Sequence, residues 1–329
     1  MMRALRTLFL VIVLAVAGLS VWIAYGIFGD RSRPASTAGV VIPQGSTFSG
    51  IASQLHAAGI IGNTQLFRLY AKALHADTQA RAGEFRFASH QTEAEILRRL
   101  TTGGAQIAKW ITIPEGYTAK QIAAQLENEG FGDAQTYAQA FLHDTIVVDG
   151  FRTANMEGYL FPETYLMPLG ASPATVEAIM SAQFLKELPA DAARKARSHG
   201  LTVPQAVTLA SLIEREAKAD DERPLMAGVY YNRLRLGMPL EVDATIEYAL
   251  PSHQTVITYS DLRLDSPYNT YLHQGLPPTP IANPGRPSLV AALNPRPSEY
   301  LYYVYKGNGH HAFAKTLSEQ NANVAKYLK

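Results

Sequence analysis

The feature that most constrains the fold is an uncharged apolar run near the N-terminus. From Leu8 to Phe28 the chain reads LFLVIVLAVAGLSVWIAYGIF, which is 21 residues without a charged side chain. At ~1.5 Å per residue, a helix of this length crosses a bilayer core of roughly 30 Å. We therefore expect a transmembrane helix over residues 8–28, preceded by a short cytoplasmic tail, residues 1–7.

The residues around this run bear on topology. Arg3 and Arg6 precede it and favour a cytoplasmic N-terminus, although Arg31 and Arg33 on the other side weaken the bias. A cleaved signal peptide is the alternative, because AVA at 15–17 fits a small-residue cleavage site. The apolar run continues well past that site, so we expect an uncleaved single-pass anchor. In both cases the remainder of the chain is exported.

The composition excludes several classes of function. The net charge is +1 and there is no cysteine among the 329 residues. Near-neutral charge argues against nucleic acid as a partner, and the lack of cysteine excludes disulfides, cysteine-bound zinc and thiol nucleophiles. No set of spaced ligands accompanies His310 and His311, so we expect neither a metal nor a cofactor.

An internal repeat organises the region after the apolar run. Residues 42–59 and 113–130 align without gaps, and nine of the eighteen positions are identical. Each copy predicts a short strand, a Pro and Gly turn, a capping Thr and an amphipathic helix. A helix over 63–74, a strand over 82–88 and a helix over 92–103 lie between the copies, which together predict a small α+β module.

The most informative helix is predicted over residues 203–218. It begins with a capping box formed by Thr202 and Gln205. Glu216 continues its apolar stripe, where an apolar residue is expected. Because burial against apolar neighbours raises the pKa of a carboxyl group, this position permits acid and base chemistry near neutral pH. The other members of the stripe are Ala206, Leu209 and Ile213.

Glu214 lies two residues before Glu216 and behaves differently. At ~100° per residue the two carboxylates lie about 200° apart around the helix, so they cannot act on one bond together. We expect Glu214 to form an i, i+4 surface pair with Lys218. The alternative for Glu216 is a salt bridge at the edge of the stripe, with Arg223 or Arg233 as its partner.

Two further segments contain polar candidates. Asn232 lies on the apolar stripe of a helix that ends at Gly237, and a buried amide needs partners. It either orients Glu216, binds a substrate hydroxyl, or is a satisfied core asparagine. Residues 266–285 are rich in Pro and Gly and contain Tyr268, Asn269 and Thr270, which indicates an ordered functional loop.

Residues 156–168, MEGYLFPETYLMP, interleave aromatic residues with the carboxylates of Glu157 and Glu163. Such a loop can line a sugar groove because aromatic rings stack on pyranose faces, although core packing is the favoured interpretation.

Near the C-terminus, YLYYVY followed by a Gly-rich turn and HAFAKT predicts a β-hairpin.

Several separated motifs carry a family resemblance. They are ASLIEREAKADDERPLMAGVYYNRLRLGMPLEVDATIEYAL, YNTYLHQGLPPTPIANPG, YLYYVYKGNGHHAF, IPEGYT and EGYLFPETY. With them the chain resembles, from the apolar run to the C-terminus, the MltG family of endolytic murein transglycosylases, also called YceG-like proteins. One departure is that His310 precedes His311, where the family commonly has Gly.

The resemblance implies a single-pass protein of the inner membrane with an α+β exported part. It also implies a LysM-like module over residues 40–105 and a larger, mainly helical catalytic domain over residues 106–329. The Gly, Pro and Ser content of residues 29–39 predicts a linker before them. The expected partners are peptidoglycan glycan strands, peptidoglycan synthases and the membrane itself.

The resemblance also implies a mechanism with one catalytic glutamate, which falls on Glu216. In this family the β-1,4 bond between MurNAc and GlcNAc is cleaved and a 1,6-anhydro-MurNAc end is formed without water. The expected substrate-binding or supporting residues are Glu163, Asn232, Tyr268, Asn269 and Thr270. The alternatives are a noncatalytic peptidoglycan-binding scaffold, and a hydrolytic muramidase in which Glu163 or Asp243 is the second carboxylate.

Overall fold

The computed structural model describes residues 2–29, 40–43, 46–88, 90–103, 108–250 and 257–328, with side chains from residue 10 onward. This described part contains thirteen helices and four two-stranded sheets, which is a mixed α and β fold. Two compact units divide the chain: Met1–Lys109 with Met167–Ala171, and Trp110–Leu166 with Ser172–Lys329. Most of the predicted linker, residues 30–39, lies outside the described residues.

The first unit begins with the long helix α1 (Met2–Phe28). It starts at Met2 rather than at the predicted residue 8, and its stretch Leu10–Phe28 is long and apolar enough to cross a membrane. A signal sequence has the same length and composition, so the helix is a candidate span. At its C-terminal end the ring of Phe28 lies edge-on to Tyr70, with centroids 5.9 Å apart.

The rest of the first unit has the predicted order of strand, helix, helix, strand and helix. The strands pair antiparallel, with Val40 opposite Phe85. Thr47 accepts a hydrogen bond from the Gly50 amide, so the predicted capping Thr is confirmed. The elements are β1 (Val40–Ile42), α2 (Phe48–Ala57), α3 (Thr64–Ala73), β2 (Gly83–Phe85) and α4 (Glu93–Thr102).

The second unit contains the second copy of the repeat. Its helix starts with a capping box in which Thr118 and Gln121 bond reciprocally. The aromatic residues Tyr159, Phe161 and Tyr165 are buried, so core packing was the correct interpretation for them. In chain order this part comprises most of β3 (Ala108–Thr112), α5 (Ala119–Asn128), α6 (Ala134–His143), β4 (Val147–Val148), β5 (Phe151–Arg152) and most of β6 (Thr164–Pro168), with β3 paired to β6 and β4 to β5.

Six helices form the centre of the second unit. Helix α9 packs against α8, α10, α11 and α12, and most of its residues up to Ile213 are buried because they are apolar or small around the whole helix. It starts with the predicted Thr202 capping box and ends at Glu216, two residues earlier than predicted. The helices are α7 (Pro173–Glu187), α8 (Ala192–Ser198), α9 (Val203–Glu216), α10 (Arg223–Leu236), α11 (Asp243–Ala249) and α12 (Arg286–Leu293).

The N-terminus of α10 has no side-chain cap. A 3-10 turn, Asp220–Glu222, precedes the helix, and Glu222 occupies the cap position without making a side-chain cap. Its carboxylate is instead bonded to His311. The end of the helix is as predicted, because Gly237 adopts φ 64° in the left-handed region that favours glycine.

The C-terminal hairpin is confirmed. Strands β7 (Tyr302–Gly307) and β8 (His310–Ala314) pair antiparallel, and helix α13 (Leu317–Tyr327) packs on both. The turn between them contains Asn308 at φ 53° and Gly309 at φ 76°, a pair typical of tight hairpins. This hairpin brings Tyr303 and His311 to the end of helix α9.

Candidate active site

Glu216 is the last residue of helix α9, and the apolar stripe leads to it. Ala206, Leu209 and Ile213 are all buried, at 3%, 0% and 0% exposure. The helix ends there, because Ala217 adopts an extended backbone. The carboxyl group is therefore fixed by a rigid helix on one side and partly open on the other.

Two tyrosines support the carboxyl group from the hairpin and from α10. The Tyr303 hydroxyl donates to Glu216 Oε2 at 3.1 Å. The same hydroxyl lies 2.8 Å from that of Tyr230, which is fully buried. Tyr303 can accept from Tyr230 while it donates to Glu216, so this pair fixes the position of Oε2.

The surroundings of Glu216 adjust its acidity. Burial, followed by the negative charge of Asp243, raises its pKa to about 7. The hydrogen bond from Tyr303, the positive charge of Arg215 and the backbone amide of Ala244 act in the opposite direction. At neutral pH the carboxyl group therefore exists in both protonation states, as a general acid that later acts as a base requires.

Asp243 begins helix α11 and is the second acid next to Glu216. It accepts a hydrogen bond of 2.6 Å from the Tyr271 hydroxyl. Burial and this aspartate raise the pKa of Tyr271, so the phenol stays protonated and donating. The structure thus brings together Glu216, Asp243 and Tyr271, from three separate segments of the sequence.

The predicted loop residues hold helix α11 in place. Thr270 accepts from the Val242 amide at 3.0 Å and bonds to Thr245 at 3.0 Å. Asn269 is fully buried and donates to the carbonyls of Leu262 and Leu264. The polar groups of both residues are therefore bonded within the protein.

Tyr268 lies in the same loop, beneath its surface. Its hydroxyl bonds to Thr279 at 2.7 Å, and its ring packs on Tyr248 with centroids 4.9 Å apart. Tyr248 belongs to α11, so Tyr268 also connects the loop to the helix that carries Asp243.

Glu214 does not form the predicted surface pair with Lys218. Its side chain is only 6% exposed and pairs with Arg223 at 3.3 Å. Its other oxygen accepts from the Gly285 amide at 3.0 Å. Lys218 instead lies 4.7 Å over the ring of Tyr305. The prediction was wrong because the residues that cover this face of α9 come from distant segments.

The alternative salt bridges for Glu216 are excluded by the partners of the two arginines. Arg223 is bound by Glu214 and by the Ser288 hydroxyl, at 3.3 and 2.6 Å. Arg233 pairs with Glu241 at 2.8 Å and donates to the carbonyl of Leu301 at 2.6 Å.

Asn232 is buried, as its stripe position predicted, but it does not orient Glu216. Its amide donates to the carbonyls of Ser298 and Tyr300, at 2.8 and 3.0 Å. Its oxygen accepts from Arg235 at 3.0 Å. The segment before β7 therefore satisfies the amide. Asn232 itself lies near the C-terminal end of α10, far from the turn that precedes Arg223.

Glu163 is exposed and lies by the β3–β6 sheet rather than beside Glu216. Its carboxylate accepts from the amide of Thr164 at 3.0 Å, and its backbone carbonyl accepts from Ile113. Its charge acts on Glu115, whose pKa is raised first by burial and then by neighbouring carboxylates.

The other carboxyl group of the 156–168 segment, Glu157, is buried. It is 1% exposed and accepts from the Ala119 amide at the start of α5, from Asn283 and from Tyr248. Burial raises its pKa to about 8. Asn283 also accepts from the amides of Gly158 and Leu160, so one polar network joins the second repeat copy to the loops around α11.

His311 has a clear structural role. Its ring Nδ1 lies 2.9 Å from Glu222, and its backbone amide donates to the same carboxylate. The ring stands edge-on to Tyr303, with centroids 5.6 Å apart. His311 therefore ties the hairpin that carries Tyr303 to the turn before α10, whereas His310 is more exposed and lies 3.8 Å from Asp221.

Known proteins resemble this chain over most of its length. The model of the YceG-like family matches residues 40–326. A Bacillus subtilis protein named endolytic murein transglycosylase is 36% identical over 310 residues, which are 89% of this chain and 85% of that protein. A Streptococcus pneumoniae protein of the same name is 30% identical over 321 residues, and there the match spans only 58% of the longer protein.

A solved structure is similar as well. The crystal structure of a YceG-like protein from Listeria monocytogenes superposes with a TM-score of 0.55 at 32% identity. The similarity covers 87% of this chain and 98% of that one.

Proposed function

Because the chain belongs to the YceG-like family, we propose that it is an endolytic murein transglycosylase in which Glu216 is the catalytic acid and base. The observation that carries this proposal is the placement of Glu216 at the end of α9. There the Tyr303 hydroxyl fixes one carboxyl oxygen, and burial with Asp243 raises the pKa to about 7. The proposed substrate is the glycan strand of peptidoglycan.

In the first step, protonated Glu216 transfers its proton to the oxygen between MurNAc C1 and GlcNAc. The C1–O bond breaks, GlcNAc leaves with that proton on its hydroxyl, and positive charge develops at C1. The carboxylate that results is stabilised by Tyr303 and the Ala244 amide. The negative charge of Asp243 lies nearby and favours the developing cation.

In the second step the C6 hydroxyl of the same MurNAc attacks C1. The Glu216 carboxylate removes the hydroxyl proton as the new O6–C1 bond forms, which restores the protonated acid. The product carries a 1,6-anhydro end, and no water is consumed. One carboxyl group that changes protonation state near pH 7 suffices for both steps.

A hydrolytic muramidase is the second candidate, and Asp243 is the observation that favours it. A second carboxylate near the acid is what a retaining or inverting glycosidase needs. The Asp243 carboxylate already accepts a hydrogen bond of 2.6 Å from the Tyr271 hydroxyl, which favours a supporting role.

For the N-terminal region we propose an uncleaved anchor in the inner membrane, with the enzyme on its outer face. Helix α1 contains the apolar stretch Leu10–Phe28 that supports this proposal. The order β1, α2, α3, β2 with antiparallel strands supports a LysM-like module that contacts glycan. Peptidoglycan synthases are the proposed protein partners, since endolytic cleavage of nascent strands occurs where they are made.

The test is digestion of purified peptidoglycan by the full chain, with products identified by mass spectrometry. We expect anhydro ends from the wild type and a loss of about 10²–10⁴-fold in rate for Glu216→Gln. Glu299→Gln is the matched control, because Glu299 is 79% exposed and forms a surface pair with Lys315. Reducing ends would favour the muramidase, and no products from the wild type would favour a noncatalytic scaffold.

A further inference from the structure

A large groove lies on the second unit away from Glu216. It has a volume of about 1040 Å³ and is bounded by α10, by residues 198–205, and by the segments 275–278 and 295–298. Ligand pockets of proteins usually measure about 300–1,000 Å³, so this one has room for an extended ligand. We call it the arginine groove, after Arg235 and Arg296 in its wall.

The charged side chains that line the arginine groove are all basic. Arg235, Arg296 and His199 line it, and none of the described residues in its lining is an aspartate or a glutamate. Both arginines are exposed, so their guanidinium groups can reach a ligand. Guanidinium groups bind carboxylates through paired hydrogen bonds, and the groove therefore fits an anion that bears carboxylates.

The wall that carries the arginines is held rigidly in place. Asn232 is buried and donates to the carbonyls of Ser298 and Tyr300, while its oxygen accepts from Arg235. The Arg296 amide donates to the Pro224 carbonyl at 2.8 Å. A Cβ at Gly228 would lie 2.5 Å from the Arg296 carbonyl, so only glycine permits this close approach. Such preorganisation lowers the entropic cost of binding.

The floor is apolar and stiff. It contains five prolines together with the ring of Tyr231, which packs against His199 with centroids 5.1 Å apart. The Tyr231 hydroxyl donates to the Ala292 carbonyl, which fixes the ring. A ligand that matches this surface has short apolar side chains between its carboxylates. The prolines are Pro204, Pro277, Pro278, Pro295 and Pro297.

We propose that the arginine groove binds the carboxylate-bearing stem peptide of the glycan strand that is cleaved at Glu216. This inference rests on the proposed function, since it assigns a second contact to the same substrate. Stem peptides are short, contain alanine, and carry several free carboxylates. Thr208 in the groove and Glu216 lie on one helix, eight residues or about 12 Å apart along its axis, so one strand can reach both.

The experiment compares glycan strands that bear tetrapeptide stems with the same strands after an amidase has removed the stems. For the full chain in detergent, we expect a KM about tenfold lower on stem-bearing strands. In the double variant Arg235→Glu, Arg296→Glu this ratio of KM values falls to about one, while kcat on stem-bearing strands changes little. The double variant Lys186→Glu, Lys326→Glu, at exposed sites on α7 and α13 outside the groove, is the charge-matched control and keeps the wild-type ratio.

In parallel, the binding of labelled strands is measured with the Glu216→Gln variant. This measurement does not depend on cleavage. If the wild type cleaves neither strand, the proposed function fails, and the binding preference still tests the groove. Equal binding of both strands by Glu216→Gln, or an unchanged ratio in the double arginine variant, would overturn the assignment. So would equal competition by a linear glutamate–alanine peptide, because the groove would then recognise acidic protein segments.

Discussion

The two sides of the end of helix α9 show how two glutamates two residues apart acquire different properties. Glu214 faces Arg223 and the Gly285 amide, at 3.3 and 3.0 Å, and is held as a buried ion pair. Glu216 faces Tyr303 and Asp243, and its pKa is raised to about 7. The helix is the same, and the difference comes from the segments that cover each side.

Proximity in sequence therefore says little about the surroundings of a carboxyl group. A carboxylate beside a buried guanidinium forms an ion pair and serves the structure. A carboxylate with hydroxyl donors and a like charge titrates near neutral pH and can move protons. We therefore expect the two glutamates to respond in opposite ways to the same substitution.

The largest expected effect is on turnover. Glu216→Gln removes the proposed acid and base, so the rate of anhydro-end formation falls by about 10²–10⁴-fold. Glu214→Gln keeps a folded site and loses much less activity when it is assayed below its unfolding temperature. Similar losses in both variants would show that the two carboxylates act as a unit.

For the free energy of unfolding we expect the opposite order, with the larger loss in Glu214→Gln. Glu214→Gln leaves Arg223, which is 8% exposed, without its buried carboxylate, and we expect a loss of about 3 kcal/mol in the free energy of unfolding. Chemical denaturation at constant pH measures it. Arg223→Gln should cost less in the Glu214→Gln background than in the wild type, since the two substitutions remove one shared interaction.

The contribution of Glu216 to the free energy of unfolding depends on pH. Between the ordinary value of 4.5 and about 7, the folded chain holds a proton on Glu216 that the unfolded chain has lost, so the wild type loses stability as the pH rises through this window. The Glu216→Gln variant has no carboxyl group at this position, so its stability does not fall in this way. Above pH 7 the variant should be more stable than the wild type by about 1–3 kcal/mol, and below pH 4.5 the two should agree.

A smaller effect concerns the alkaline limb of the pH profile of kcat/KM. Since the first step needs protonated Glu216, activity falls as the pH rises through its pKa. Asp243→Asn removes a charge that raises this pKa and should move the limb to lower pH. Tyr303→Phe removes a donor that lowers it and should move the limb to higher pH. Shifts in the same direction would contradict the assignment of these neighbours.

The smallest effect is expected at Lys218. Its ammonium group lies over Tyr305 and not at Glu214, so Lys218→Ala should cost less than about 1 kcal/mol. A double-mutant cycle between positions 214 and 218 should give a coupling energy near zero, whereas the cycle between 214 and 223 should not.

Local patterns predicted a good part of this architecture. A capping Thr marked the start of α5 and a capping box marked the start of α9, and the repeat predicted β1, α2 and α5. Glu216 stood out because a polar residue interrupted an apolar stripe. Such signals work because caps and helical periodicity depend on residues within a few positions of one another.

The rest of the site depends on contacts that no local pattern encodes. Tyr303 comes from 87 residues beyond Glu216, and Glu157 meets Asn283 across 126 residues. The local pattern around Asn232 predicted that this residue is buried. It did not predict that the partners of its amide are Ser298 and Tyr300. Sequence patterns indicate that a buried amide needs partners, and the tertiary fold decides which ones it has.

In the proposed mechanism a single carboxyl group, Glu216, carries out both proton transfers without water. Digestion of peptidoglycan in oxygen-18 water, followed by mass spectrometry of the new glycan ends, tests it most directly. We predict anhydro ends that contain no label, because the C6 oxygen closes the ring. Labelled oxygen at C1 would contradict the account and would assign Asp243 the task of activating water beside Glu216.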